Sequence, residues 1–231
     1  FKPLAALKPT VHVDCVLDAM LTNAAGSGTQ HVVASNVDDN PYYKAFSALI
    51  DYGFALTILI GFWWLLLIIA AWIRISSSGP AIFAQERVGK HGRIFTCYKF
   101  RTMAVGTRQA GTHEVSSASI TTAGAFLRRT KLDELPQVIN LLKGELRLVG
   151  PRPGLPVQDQ LYNAREAIGV FAVTPGITGW AQIHDVDMSD PDKLARWDAD
   201  YIAIRGVLMD LTIIIATGLG RGKGDRTLTE N

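Results

Sequence analysis

The sequence predicts an α+β protein in which a membrane-embedded helix leads into a compact, mainly helical domain with short strands. Three observations predict it. Residues 53–73 are continuously uncharged and dominated by Leu, Ile, Phe, Trp and Ala, between Asp51 and Arg74. Two short strand-like pieces follow, separated by a turn signal. Beyond them, apolar residues return at helical spacing. The first observation sets the membrane assignment: a bilayer core of about 30 Å takes about 20 apolar residues as a helix. A buried core helix is the alternative, but core helices seldom run so long without a polar face.

The elements follow in order. Residues 76–79 are a small-residue linker ended by Pro80. Residues 81–88 and 93–100 read as extended pieces, with His91-Gly92 as the turn between them. Residues 106–122 are rich in Gly, Ser and Thr and read as a mobile loop. Leu132, Leu135, Ile139 and Leu142 form one apolar helical stripe, and Gly144 is a natural stop. Proline is tolerated only in the first turn of a helix, so Pro136 places the helix start near Asp133. A second helix is expected over 157–168, a turn at Pro175-Gly176, and a third helix over 191–204 with Ser189 or Asp190 near its cap. Residues 208–219 are apolar but too short to span, which suits core or interfacial packing. Residues 218–226 read as a flexible basic tail near an anionic surface.

Composition narrows the partners. The 23 basic and 21 acidic residues nearly balance, so charge gives no reason to expect a nucleic-acid partner. Cys15 and Cys97 are too few for a disulfide framework and fit a reduced, cytosol-facing location. Residues 1–40 carry charges and no continuous apolar core, so they do not read as a secretory signal. Arg74, Arg87 and Lys90 after the apolar run, against Lys44 and Asp51 before it, favour a cytosolic domain.

The chemistry concentrates at Asp133-Glu134. Acids at a helix start often do no more than stabilise it, by about 0.3–1 kcal/mol. Here Arg128 and Arg129 lie just upstream, and Arg152 is held in Pro151-Arg152-Pro153. Guanidinium neighbours keep a carboxylate ionised at neutral pH, and an ionised carboxylate can attack phosphorus. A fork fixed between two prolines suits bidentate phosphate binding, with a structural salt bridge as the alternative for Arg152. Lys99 and Arg101 face one side if extended, as a phosphate site or as a basic patch for anionic lipid. Gln137 lies one turn from Asp133 and could orient the nucleophile or a phosphate oxygen, or be a solvated polar position. Glu86-Arg87 reads as an internal ion pair or loop anchor. His91, His113 and His184 lack ligand spacing, so no metal is assigned to them.

These motifs resemble, in order, the small monotopic polyprenol-phosphate phosphoglycosyl transferases, the bacterial sugar transferases. The matching pieces are Ser78 through Gly89, Tyr98 through Met103, Leu127 through Gln137, Asn140 through Glu145, Val149 through Pro153, and Pro175 through Gln182. The resemblance covers residues 51–210. It implies transfer of a sugar 1-phosphate from a UDP-sugar to polyprenol (undecaprenyl) phosphate, with release of UMP. It implies Asp133 as the nucleophile that carries the phosphosugar, and Glu134, with Asp133, as the holder of Mg²⁺. Arg128, Arg152, Lys99, Arg101 and Gln137 are then expected around the substrate phosphates. Gly176, Gly179 and Gln182 recur in the family near the nucleotide site, although turn geometry would explain both glycines without a ligand.

The resemblance also implies a re-entrant helix, with the catalytic domain on the cytoplasmic face of the bacterial inner membrane. The family breaks this helix with Ser-Pro; here the place reads Trp63-Trp64, with Gly61 before it, and Trp neither removes a donor nor forces a bend. Three parts are expected: an N-terminal extension over 1–45, the re-entrant helix over 46–75, and the transferase domain over 76–226 with interfacial helices. Val11 to Asp14 and His31 to Ser35 vaguely resemble the C-terminal part of nucleotide-sugar epimerases, without their glycine fingerprint. Residues 185–189 and 222–226 look like a subgroup that uses N-acetylated 6-deoxy sugars. Partners are thus the UDP-sugar, polyprenol phosphate and inner-membrane lipid, and a homo-oligomer is left open. The competing reading is a membrane-anchored interaction protein with a structural acid/arginine network.

Overall fold

The structure is a computed structural model that describes residues 40–107 and 119–222. Residues 1–39 of the extension expected over 1–45, most of the Gly/Ser/Thr-rich loop and the tail beyond residue 222 lie outside the described residues.

The apolar segment is longer than the uncharged run and is interrupted. Helix α1 spans Pro41–Leu56. Asn40 caps it, its side chain accepting from the Tyr42 and Tyr43 amides, and Pro41 occupies the first turn. A π-helical turn, Thr57–Gly61, follows, and Phe62 leaves helical geometry at φ −122°, ψ 19°. Helix α2 then covers Trp63–Ser76. The break therefore falls immediately before Trp63-Trp64, without a proline. The wide turn supplies it, and the Trp64 indole Nε1 donates to the Gly61 carbonyl at 3.1 Å, satisfying an acceptor that the break frees. Among the described residues, Pro41–Gly61 is the one helix long and apolar enough to cross a membrane by length and composition.

Both arms dock on the same domain. On α1, the Tyr43 hydroxyl donates to Asp210 at 2.8 Å and Asp51 accepts from the Leu148 amide at 2.8 Å. On α2, Ile69 and Ile73 are buried against Ala81, Phe100 and Leu127.

The expected hairpin is present. Strands β1 (Ile82–Val88) and β2 (Ile94–Phe100) pair antiparallel, Ile82 opposite Phe100 and Val88 opposite Ile94. The turn between them places His91 and Gly92 at φ 56° and 69°. Of the loop read over 106–122, residues 108–118 lie outside the described residues, and its end is structured. Met103 bridges to Ile120, Thr121 caps the next helix by accepting from the Gly124 amide, and α3 runs Thr122–Thr130. Gly124 is needed there because a Cβ would lie 2.0 Å from the Thr102 carbonyl oxygen.

The stripe through Leu132, Leu135, Ile139 and Leu142 requires correction. Lys131 turns left-handed, and Leu132–Gln137 is a 3-10 helix before the short α4, Val138–Leu142. A 3-10 helix repeats every three residues, so the inward face runs Leu132, Leu135, Val138, Leu141. Ile139 and Leu142 are exposed instead.

A second sheet was not foreseen. Strands β3 (Arg147–Val149) and β4 (Gly176–Thr178) pair in parallel. Gly176 and Gly179 serve this contact rather than a turn: a Cβ on Gly176 would sit 2.1 Å from the Gly150 nitrogen, and one on Gly179 2.3 Å from the Gly150 oxygen. Helices α5 (Asp159–Ala167), α6 (Trp180–Ile183), α7 (Pro191–Ile204) and α8 (Val207–Gly218) complete the domain. Asp190 caps α7 through the Lys193 amide, as expected. The largest core packs Val149, Val170, Val173, Trp180, Tyr201, Ile202 and Ile213.

Candidate active site

A cleft of about 880 Å³ opens between the hairpin, the 3-10 segment and α6. One wall is ionic, with Lys99, Arg128, Asp133, Glu134 and Arg152; another is apolar, with Phe54 of α1, Ile82, Phe83 and Leu135. The cleft thus places charged groups beside the arm of the apolar segment.

The acid pair sits where the chain cannot run straight. Lys131 holds φ 57°, ending α3, and the tight 3-10 turn then carries Asp133 and Glu134. Asn140, fully buried, fixes this segment to β2: its Oδ1 accepts from the Tyr98 amide at 3.1 Å and its Nδ2 donates to the Thr96 carbonyl at 2.7 Å. A second bond runs from Nδ2 to Glu145 at 2.7 Å.

Glu134 is the junction of the cations. Lys99 Nζ reaches its Oε1 at 2.8 Å and Arg152 Nη2 reaches the same oxygen at 3.2 Å. Arg128 lines the cleft with its Nε donating to Thr102 Oγ1 at 3.0 Å. Asp133 faces the same cleft, half-buried. Desolvation, then the neighbouring Glu134 charge, push its carboxyl up to about 6, against the pull of Lys99, Arg128 and Arg152. The flanking cations are expected to set its ionisation; burial outweighs them. Lys131 is lowered by burial, and its Nζ donates to the Arg221 carbonyl at 3.1 Å.

The Pro151-Arg152-Pro153 turn is anchored by two buried arginines. Arg87 Nη1 donates to the Pro153 carbonyl at 3.0 Å, which makes Arg87 a loop anchor. Arg165 Nη1 donates to the Arg152 carbonyl at 2.8 Å, and Asp198 holds Arg165 through Nε at 3.0 Å and Nη2 at 2.6 Å. Sequence reasoning missed Arg165 and Asp198, and named Asn140 only as the start of a family-like motif, without a role. The first two come from separate helices 33 residues apart, with no local pattern linking them. Asn140 stands inside an apolar run, the one signal that could have marked it.

Two sequence candidates take other places. Arg101 borders the cleft but is buried, its Nη1 donating to the Ser78 carbonyl at 2.7 Å and its Nη2 to the Ser77 carbonyl at 2.9 Å, so it clasps the linker after α2. Gln137, the last residue of the 3-10 segment, is buried and does not line the cleft. Gln182 does line the cleft, with Nε2 donating to the Ile177 carbonyl at 3.2 Å.

The family model of the bacterial sugar transferases matches residues 42–221, which takes in both apolar arms and every residue of this site. The chain belongs to that family. Among bacterial sugar transferases it is similar to a UDP-glucose:undecaprenyl-phosphate glucose-1-phosphate transferase of Xanthomonas campestris, 37% identical over 83% of this chain and 41% of the relative. It is also similar to the uncharacterized sugar transferase EpsL of Bacillus subtilis, 39% identical over 66% of this chain and 75% of the relative. The undecaprenyl-phosphate galactose phosphotransferase of Salmonella typhimurium is 34% identical over 65% of this chain and 35% of the relative. The chain thus spans about four-tenths of the Xanthomonas protein it matches.

Proposed function

We propose that the chain transfers a sugar 1-phosphate from a UDP-sugar to polyprenol phosphate, undecaprenyl phosphate in bacteria, with release of UMP. The observation that carries this reading is the Asp133-Glu134 pair facing a cleft with cations on one wall and apolar residues on another.

In the first step an Asp133 carboxylate oxygen attacks the sugar-linked phosphorus. The new O–P bond forms as the bond to the bridging oxygen breaks, and that oxygen leaves with UMP. In the second step an oxygen of polyprenol phosphate attacks the same phosphorus, the Asp133–phosphorus bond breaks, and the carboxylate is restored. Arg152, rigid in its anchored turn, orients the phosphates. Lys99 and Arg128 balance their charge. Glu134 holds Lys99 and Arg152 in register. Arg101 and Gln137 serve the framework in this reading.

A magnesium ion fits the donor set only in company with substrate. Among the described residues no group of three or more His, Cys, Asp or Glu could hold a metal. Mg²⁺ commonly takes one or two carboxylates and completes its shell with water and substrate phosphates, which the acid pair allows. Held by Glu134 and Asp133, it would neutralise the diphosphate and stabilise departing UMP.

The test is UMP release from a panel of UDP-sugars with undecaprenyl phosphate. A structural acid/arginine network in an interaction protein would release none with any sugar. Asp185, Val186, Asp187 and Met188, from the stretch that looks like the subgroup using N-acetylated 6-deoxy sugars, line the cleft, which makes those sugars the first to try. The same assay reads pH. With Asp133 near 6, the first-step rate should fall about tenfold per unit below pH 6 and level off above about 7. A flat profile from pH 5 to 8 would mean that the Asp133 carboxyl is not raised to about 6 in the working enzyme.

The same reading makes the apolar segment re-entrant, with both ends and the catalytic domain at the cytoplasmic face of the inner membrane. Support comes from the break at Phe62 and from both arms docking on one domain. A cysteine introduced at Asn23, with Cys15 and Cys97 replaced, should resist a membrane-impermeant thiol reagent in intact cells and react after lysis. Labelling of intact cells would mean that the segment spans.

A further inference from the structure

A second cavity, of about 440 Å³, shares no lining residue with the active cleft. Adjacent strand residues point to opposite faces, and on β3 Leu148 lines the cleft while Arg147 lines this cavity. Further lining comes from the first three turns of α1, the hairpin turn, the stretch from Leu141 to Leu146, Thr174, and Arg205 after α7.

Its lining is cationic: Lys44, Lys90, Arg147 and Arg205, with Asp51 as the acid. Arg147 is committed inward, 3.4 Å from Asp51 and 3.9 Å from Asp210 behind it. Lys44 and Lys90 are exposed at the mouth and Arg205 is buried in the wall. Ser47 supplies the second observation. It lines the cavity at only 6% exposure, and its Oγ has no hydrogen-bond partner. A buried hydroxyl without a partner is costly, and turning the Ser47 side chain toward a ligand oxygen in the cavity would relieve that cost. Beside the cavity, α1 turns Leu49 outward, 70% exposed, and Tyr52, which lines the cavity, is 45% exposed. A cationic cavity with a spare hydroxyl, next to apolar surface, matches a phosphate group attached to an acyl chain.

We propose that this cavity binds the phosphate of an anionic phospholipid, seating the first arm of the apolar segment against the domain. The proposal shares the membrane placement of α1 with the functional reading above, but it does not depend on chemistry at Asp133.

The test is native mass spectrometry of the full chain, released from detergent after adding phosphatidylglycerol, phosphatidylcholine or inorganic phosphate. One phosphatidylglycerol should be retained per chain, with little phosphatidylcholine. The Lys44→Gln/Lys90→Gln double variant, altered only at exposed positions, should weaken that retention roughly thirtyfold. Ser47→Ala should weaken it further. UMP release by the double variant in phosphatidylcholine nanodiscs should equal that of the parent chain. Undiminished phosphatidylglycerol retention by the double variant would overturn the site. Equal retention of phosphatidylcholine would overturn the anionic selectivity, and retention of inorganic phosphate with no phospholipid would overturn the lipid assignment.

Discussion

Asp133→Asn is expected to abolish turnover, by about 10⁴-fold or more, while making the folded protein more resistant to heat at pH 7.5. The first effect follows from removing a nucleophile for which the cleft offers no close substitute. Glu134 cannot replace it, because its Oε1 already carries Lys99 and Arg152. The second effect follows from the sign of the shift. Folding raises the Asp133 carboxyl from 3.8 to about 6, so the folded state favours the protonated acid. That favour is fully present below 3.8 and is lost as pH rises through about 6. Above 6 the buried negative charge destabilises the fold, and an amide removes it. The gap in Tm between Asp133→Asn and the parent should therefore close as pH falls from 6 towards 4. Kinetics and thermal melts on the same preparations read both effects. If activity were lost through unfolding instead, the variant's Tm would move in the opposite direction.

Asp198→Asn is expected to give the largest loss of stability. It leaves the Arg165 guanidinium buried without its counter-charge, and breaking such a pair costs about 3–5 kcal/mol. Melting should fall by roughly 10 °C. Activity should fall too, because Arg165 also holds the Arg152 carbonyl, and a small displacement of a positioning group costs on the order of 10²-fold. Replacing the pair together, Arg165→Met with Asp198→Leu, should recover most of the stability and little of the activity. Recovery of both would mean that the Pro151-Arg152-Pro153 turn does not need this anchor.

What was legible in the sequence was what local physics writes into it. The β1–β2 hairpin follows from two extended runs around His91-Gly92, and α7 from Asp190-Pro191, a cap and a first-turn proline. The Asp133-Glu134 pair, Lys99, Arg128 and Arg152 stand out because their chemistry is concentrated and ordered along the chain, and the fold brings them to one cleft. Phase was harder. A 3-10 turn at Leu132–Gln137 shifts the buried face by one residue, and nothing in an apolar stripe distinguishes a period of three from 3.6 over so short a stretch. Position along a strand was harder still: Arg101 lies just past β2, where it turns to the Ser77 and Ser78 carbonyls instead of following Lys99 into the ionic wall. The β3–β4 pair joins three-residue pieces far apart in the chain, so only the close-packed glycines hinted at it. The helix break also defied the usual signal, since a π-turn and the Trp64 indole accomplish what a proline would.

The central claim is a covalent bond between Asp133 and a phosphosugar. Its most direct measurement is the intact mass of the full chain incubated with a turned-over UDP-sugar and no polyprenol phosphate, quenched in mild acid. The account predicts a mass gain of one sugar phosphate, mapped to Asp133, absent from Asp133→Asn and discharged on adding undecaprenyl phosphate. Steady-state kinetics should be ping-pong. An unmodified mass from a preparation that turns over both substrates, with kinetics that demand a ternary complex, would contradict it.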